Sequence, residues 1–471
     1  MTELSVRSIA QFRSHLGGLL HGPGEPGYED ACTLFNAMIE TRPRVVARCA
    51  SPQDVVAALG FARERALDVA VRAGGHSVAG LSLCDGGLVI DVRGLDAVEV
   101  DPEQRIAKVG GGASWAAVDR VTQAHGLATT GGRVSTTGVA GLTLGGGSGW
   151  LERLHGLTCD NLLAAELVTA DGRLVRASAL ENPELLWALR GGGGNFGVVT
   201  SFEFRLHPVG PQVFGGLVMH PAARGPELMR AWREVMLSAP GALSLAFAYM
   251  VAAPDDAEVP AELRGQLVAV VAGMYAGPLS LGEELLGPIR RLGAPVDLFG
   301  PVQYAEFQRS IDDPPGYRNY WTAEQLPDLP DEAVELIHAR ALEMPGSAPQ
   351  IFCVAWGGAV CAADPGSSPL AGRDARFVVH PLMLWEDPAD DDAVLAWGRS
   401  FRAGLRRFAS GGSYLNFTGE QDDARVRAQF APGCYERLAR VKATWDPENV
   451  FRASGNVPPQ RVPDMTDLDA R

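Results

Sequence analysis

The spacing of apolar positions along the chain divides it into short strands and helices. Arg44–Arg48 is a brief apolar run, and Ser51-Pro52-Gln53-Asp54 behind it carries a helix start: a hydroxyl for the N-cap, proline at the first position and an acid three residues on. Val55, Leu59 and Ala62 then recur at helical spacing before a strand over Asp68–Val71. Leu88–Val92 repeats the strand pattern. Ala97–Val100 and Ile106–Val109 predict a hairpin turning at Asp101-Pro102, followed by a helix over Ser114–His125 that ends at Gly126. A second hairpin, Leu162–Thr169 with Arg173–Ala177, turns across Ala170-Asp171-Gly172. From about Val209 to Arg399 the texture changes to strand-like runs (Leu267–Val271, Phe377–Leu384) mixed with helical ones (Asp331–Leu342). Tyr414–Phe417 reads as a strand, and the closing helix, Tyr435–Ala443, stops at Asp446-Pro447. This mixture predicts an α+β fold.

Three glycine clusters interrupt the pattern. In the first, the apolar strand Val69–Val71 runs directly into Arg72-Ala73-Gly74-Gly75-His76-Ser77, where successive backbone N–H groups can converge on an anion with a histidine beside them. A tight turn with an exposed histidine is the plainer alternative. The second, Gly131–Trp150, spends so much backbone entropy for so little side-chain packing that close approach to a ligand explains it better than a loop does. Ser135, Thr136 and Thr137 add hydroxyl donors there. The third, Gly192–Gly197, fits the letters of a dinucleotide fingerprint. That fingerprint needs a strand before it and a helix after it, whereas Glu184–Leu189 reads as helix and Val198–Phe204 as strand, so a nicotinamide site is rejected.

Composition narrows the partners. The 471 residues carry a net charge of −15, which argues against nucleic acid or an anionic membrane surface and leaves small molecules. No run approaches membrane-spanning apolar length, and Met1–Arg7 lacks a basic head followed by an apolar stretch, so the expectation is a cytoplasmic protein. Cys32, Cys49, Cys84, Cys159, Cys353, Cys361 and Cys434 are odd in number and scattered, which indicates neither a disulfide framework nor a metal site.

Taken together, the 72–77 loop, Leu144-Gly145-Gly146-Gly147-Ser148-Gly149-Trp150, His155–Asn161, Arg190–Val199 and Trp445–Phe451 resemble the vanillyl-alcohol-oxidase (PCMH-type FAD-binding) superfamily, and within it the berberine-bridge-enzyme-like FAD-linked oxidases. The resemblance covers nearly the whole chain. It implies a PCMH-type FAD-binding domain formed by residues 1–207 and completed by a returning segment at 401–471, with an α+β substrate domain at 208–400 whose antiparallel sheet is covered by helices. FAD would be held by Arg72, Ala73, Gly74, Gly75, His76, Ser77 and Gly80; by Gly131, Gly132, Val134, Ser135, Thr137, Gly138, Gly141, Leu144, Gly145, Gly146, Gly149 and Trp150; by Asp160, Asn161, Gly197, Val198 and Val199; and by Tyr414, Asn416 and Asn456. The resemblance further implies that His76 bonds to the flavin 8α-methyl.

The chain departs from its relatives twice. Many tether the flavin a second time through a cysteine where this chain has Val134, so no cysteinyl link is expected. Relatives commonly place a tyrosine after the asparagine of the 414–417 segment, where Phe417 stands. Tyr414 remains a candidate, although strand alternation would set 414 and 417 on opposite faces. The proton acceptor then comes from the substrate domain, or the substrate arrives already activated. Tyr320, His380 and Glu386 are the candidates, among the aromatic residues Tyr249, Tyr275, Tyr304, Trp321, Trp356 and Trp385. Tyr320-Trp321 is the preferred pocket pair because it follows Pro314-Pro315-Gly316. The resemblance implies hydride transfer from a small organic substrate to flavin N5 and on to O2, with Val139 leaving room for oxygen, in a monomer or homodimer that tailors a secondary metabolite. A dehydrogenase using another acceptor and a flavin-containing binding protein are the rivals.

Overall fold

The computed structural model describes residues 6–312 and 315–460; Pro314 of the expected Pro-Pro-Gly break lies outside them. Its architecture is α+β. Strands Val45–Arg48, Leu88–Asp91 and Val69–Arg72 pair in parallel, with Leu19–His21 added antiparallel at one edge. The helix Pro52–Glu64 joins the first and last of these, and Ser51 caps it by accepting the Asp54 N–H at 3.2 Å. A five-stranded antiparallel sheet follows, ordered Val98–Asp101, Ile106–Gly110, Val198–Arg205, Leu162–Val168 and Leu174–Ser178, so both expected hairpins form. The helix Pro183–Leu189 before Gly192–Gly197 and the strand Val198–Arg205 after it match the order that excludes a dinucleotide fold.

A nine-stranded antiparallel sheet occupies residues 212–385. Its period of two decides which side chains meet which layer. Leu245, Phe247 and Tyr249 on one strand, and Ile351 and Cys353 on its neighbour, join the core that also contains Trp232, Ile337 and Phe401 of the helices Gly225–Ser238, Asp331–Ala341 and Asp391–Leu405. The intervening residues, Ala248 and Met250, Gln350 and Phe352, point the other way, toward the glycine clusters.

The tail returns to the first core, where Val426, Phe430, Leu438 and Phe451 pack with Val198 and Phe196. The helix Cys434–Trp445 carries a fully buried Lys442. Its ammonium donates to Asp446 at 2.6 Å, to the Asn195 carbonyl at 2.8 Å and to the Phe451 carbonyl at 2.7 Å. Asp446 in turn accepts the N–H groups of Val450 and Phe451. A buried charge must be paired in this way, and here the pairing bolts the tail to the third glycine cluster.

Among the described residues no helix is long and apolar enough to cross a membrane, and no group of three His, Cys, Asp or Glu is placed to hold a metal ion. All seven cysteines are free thiols.

Candidate active site

The strand Val69–Arg72 ends where the chain turns through Gly74-Gly75-His76-Ser77. Gly75 sits at φ +73°, a conformation that side chains rarely adopt. A Cβ on Gly74 would lie 2.3 Å from the Gly138 nitrogen, so two glycine-rich segments meet backbone to backbone. Arg72 braces the turn from behind, donating to the carbonyl oxygens of Asp30 (3.3 Å), Ala31 and Thr33 (2.7 Å); burial lowers its pKa to about 10. Among the described residues the N–H groups of Gly74, Gly75, His76 and Ser77 donate to no protein acceptor. Free amides converging in a glycine turn form a cradle for an anion.

His76 stands at the end of that cradle. Its ring stacks on Phe35, with centroids 4.5 Å apart, and its Nε2 lies 3.0 Å from the Thr136 hydroxyl. Burial lowers its pKa to about 4, which keeps the imidazole neutral at working pH.

The loop opens on a cavity of about 710 Å³, inside the roughly 300–1,000 Å³ range of small-molecule and cofactor sites. Ala73, Gly74, Gly75, His76 and Ser77 line one side. Gly132, Val134, Thr137, Gly138, Gly141, Leu144 and Gly145 line the next, and Gly197, Val199 and Asn416 are the remaining expected residues on the lining. The inner face of the nine-stranded sheet covers the whole. Gly145 leaves space for Asn416, whose Oδ1 would lie 2.0 Å from a Cβ there and whose amide donates to the Leu142 carbonyl.

Other expected residues stand behind this lining. Gly80 turns against Ile39, while Gly131 and Gly149 touch backbone to backbone. Ser135 spends its N–H and hydroxyl on the Asp312 carboxylate, each at 2.6 Å, and so ties the second cluster to the segment that follows the Tyr304–Phe307 helix. Gly146 packs on Tyr414 and Leu370. Trp150 is buried beneath the Arg133 guanidinium, and Val198 lies in the core. Asp160 pairs with Arg373 at 2.6 Å, and Asn161 donates to the carbonyls of His155 and Leu157, so both fix a turn. Asn456 stands beside Gly455 without reaching the cavity. Val139 is fully buried between the lining residues Gly138 and Ala140.

The proton-acceptor candidates separate by position. Tyr320 and Trp321 are neighbours on one strand and therefore face opposite layers. Trp321 lines the cavity, while Tyr320 enters the helix-side core with its ring against Gly398. Glu386, just past the end of its strand, is exposed to solvent. Tyr414 is buried under the second cluster, where its oxygen accepts the Gly147 N–H at 2.8 Å; burial raises its pKa further. The 414–417 segment is not a strand. Leu415–Phe417 forms a single 3₁₀ turn, which brings the Tyr414 and Phe417 rings to 4.8 Å instead of opposite faces.

His380 remains. It is 2% exposed, lines the cavity, and is stacked on Phe417 at 4.3 Å with Trp321 edge-on at 5.5 Å. Its Nδ1 lies 2.8 Å from the Thr322 carbonyl, which can only accept, so Nδ1 carries the proton and Nε2 the lone pair. Nε2 has no partner among the described residues. Burial, with a smaller contribution from the Arg133 charge, lowers its pKa to about 3.

Several lining residues went unread in the sequence. Gly192, Gly193 and Gly194 belong to the Arg190–Val199 motif, of which only Gly197, Val198 and Val199 were expected to hold FAD, and Ser454 and Gly455 follow the recognised tail motif. Gln350 and Phe352 reach the cavity through alternation on a strand whose facing layer the chain alone did not specify.

Free amides for a pyrophosphate, a glycine-walled cavity and a neutral histidine at its mouth fit FAD. Replacing Gly75 with valine forces a β-branched residue into a left-handed conformation, within 3.3 Å of Leu34 and 3.4 Å of the Arg72 guanidinium. The expected outcome is loss of bound FAD from Gly75→Val, read as the ratio of flavin to protein absorbance; full occupancy would remove the loop from the site.

Comparison with known proteins agrees with this geometry. Residues 43–178 match the family described as FAD binding domain, and residues 413–458 the family described as berberine and berberine like. The chain is 30% identical over 456 residues to (R)-6-hydroxynicotine oxidase of Paenarthrobacter nicotinovorans, covering 93% of this chain and 96% of that one. It is 29% identical over 462 residues to the FAD-linked oxidoreductase YgaK of Bacillus subtilis, covering 95% and 98%. The crystal structure of 6-hydroxy-D-nicotine oxidase from Arthrobacter nicotinovorans superimposes with a TM-score of 0.85 at 27% identity, over 94% of this chain and 98% of that one. Berberine bridge enzyme in complex with (S)-reticuline shares the fold, with a TM-score of 0.84 at 20% identity over 97% and 99% of the two chains. Fold and cavity thus define an FAD-linked oxidoreductase. The chain belongs to the berberine-bridge-enzyme-like family of FAD-linked oxidases.

Proposed function

We propose that the protein oxidises a small organic molecule at a carbon bearing a hydroxyl or amino group, with FAD bonded covalently to His76 and O2 as the electron acceptor. The Gly74–Ser77 amides would hold the pyrophosphate, and Gly138, Gly141, Gly145 and Gly192–Gly194 would leave room for the rest of the cofactor. Once bound, FAD supplies the two-electron acceptor for hydride. The chain's own residues bind the substrate beneath the sheet, exclude water with Phe352, Phe417 and Trp321, and take the substrate's proton on His380 Nε2.

The observation that carries this reading is the row of unpartnered Gly74–Ser77 amides opening on a cavity that the neutral His380 also lines. A proton acceptor and a cofactor cradle lining one cavity are what hydride abstraction with proton loss requires. The test is anaerobic mixing of the purified yellow protein with a panel of alcohols and amines. Bleaching of the flavin absorbance by at least one of them is expected, followed on admission of air by recovery with stoichiometric peroxide. Bleaching by dithionite alone would indicate a flavin-containing binding protein, and recovery without peroxide a dehydrogenase.

A further inference from the structure

Among the described residues four amide side chains line the cavity, Gln350, Asn416, Gln421 and Gln429, and three of them are committed to the protein. Asn416 donates to the Leu142 carbonyl at 3.0 Å, Gln421 to the Leu415 carbonyl at 3.4 Å and Gln429 to the Gly191 carbonyl at 2.9 Å, while the Gln429 oxygen accepts the Leu415 N–H. Gln350 differs. Its neighbour Ile351 enters the helix-side core, so strand alternation turns Gln350 to the cavity, with Met250 and Leu382 opposite it on the adjoining strands and Phe352 two residues along. Among the described residues neither its Oε1 nor its Nε2 is hydrogen-bonded, and neither is enclosed by protein. A donor and an acceptor thus stand free on a wall whose adjacent side chains are apolar.

We infer that Gln350 selects the substrate, and that the substrate is an uncharged molecule carrying, besides the group that is oxidised, a hydroxyl or carboxamide for Gln350 to hold. This rests on the oxidation proposed above in placing a small organic molecule beneath the sheet. A carboxamide neither takes up nor releases a proton at working pH, so Gln350 is no base for the hydroxyl or amine that is oxidised. The group it holds is a second one, which passes through the reaction unchanged. The planar amide offers an N–H and a lone pair side by side, and a partner that both donates and accepts satisfies the two together. A carboxylate cannot do so, because it has no hydrogen for Oε1. Arg133, the one lysine or arginine on the described lining, is already paired with Glu152 at 2.6 Å and offers that charge no free counter-ion. A compound lacking the second group would strip water from the amide beside Met250 and Leu382 and return no hydrogen bond.

Binding tests this independently of turnover. The flavin-loaded protein is titrated without oxygen with benzyl alcohol, 4-(hydroxymethyl)benzamide and 4-(hydroxymethyl)benzoate, and affinity is read from the perturbation of the flavin absorbance spectrum. The benzamide is expected to bind about tenfold tighter than either of the others. Gln350→Met keeps the length of the side chain and removes both polar atoms. In that variant the advantage is expected to shrink to about twofold or less, through weaker binding of the benzamide alone and with flavin content unchanged. Equal affinities in the wild type, no perturbation by any of the three, tighter binding of the benzoate, or an advantage that survives in Gln350→Met overturns the inference. Equal weakening of all three in the variant, the mark of a structural role, overturns it as well. Discrimination by Gln350 without bleaching of the flavin leaves its role standing and removes the oxidation reading.

Discussion

His380→Asn is expected to slow anaerobic flavin reduction by roughly 10²–10⁴-fold, the loss typical of a removed general base, while leaving the protein folded and yellow. Asparagine can still donate to the Thr322 carbonyl but has no basic nitrogen to offer the substrate. The low pKa of His380, about 3, does not weaken the case. As hydride departs, the remaining O–H becomes strongly acidic, so a feeble acceptor suffices provided it is correctly positioned. The low value also fixes the pH dependence. Because the folded pKa lies below the usual value near 6.5, burial favours the neutral ring, and its contribution to stability is complete above pH 6.5 and declines as pH falls toward 3. Between pH 8 and pH 5 the reduction rate should therefore show no break from this residue. A rate in His380→Asn close to that of the wild type would mean that the substrate arrives already activated.

His76→Ala is expected to abolish acid-stable attachment of the flavin. Wild-type protein precipitated with acid should give a yellow pellet and the variant a white one. The reasons are local. The imidazole is neutral because burial holds its pKa near 4, it is fixed flat against Phe35, and its Nε2 is taken by Thr136, which leaves Nδ1 as the available nucleophile. Val134 lines the cavity where a second, cysteinyl tether would stand, and a valine offers no bond. A yellow pellet from the variant would refute attachment through His76 alone.

Features governed by local backbone demands were legible in the chain. The strand-loop junction at Val69–Ser77, the reversed element order around Gly192–Gly197 and both hairpins follow from glycine, turn residues and periodicity, which act within a few neighbours. The site's other half was not. Tyr320 and Trp321 are equally aromatic, and only the sheet's orientation between a helical layer and the cavity separates them. Asp160 and Asn161 belong to a recognisable motif, yet their partners, Arg373 and His207, lie far along the chain. Tyr414 looked like a strand residue because the four-residue window carries too little periodicity to distinguish a strand from a 3₁₀ turn. His380 could be named as a candidate, but its protonation state depends on Thr322, which its own strand does not contain.

The bolt formed by Lys442 also has a consequence for how the protein is made. The third glycine cluster leaves the ribosome long before the tail that secures it, because residues 198–441 must be synthesised in between. At about 5–20 residues per second that delay is on the order of tens of seconds. During it Asn195 lacks both the Lys442 ammonium that its carbonyl receives and the Val457 N–H that its side chain accepts. Assembly of the flavin pocket thus waits for synthesis of the 442–457 segment. Chains released short of Phe451 would remain colourless, however well their earlier sheets had formed.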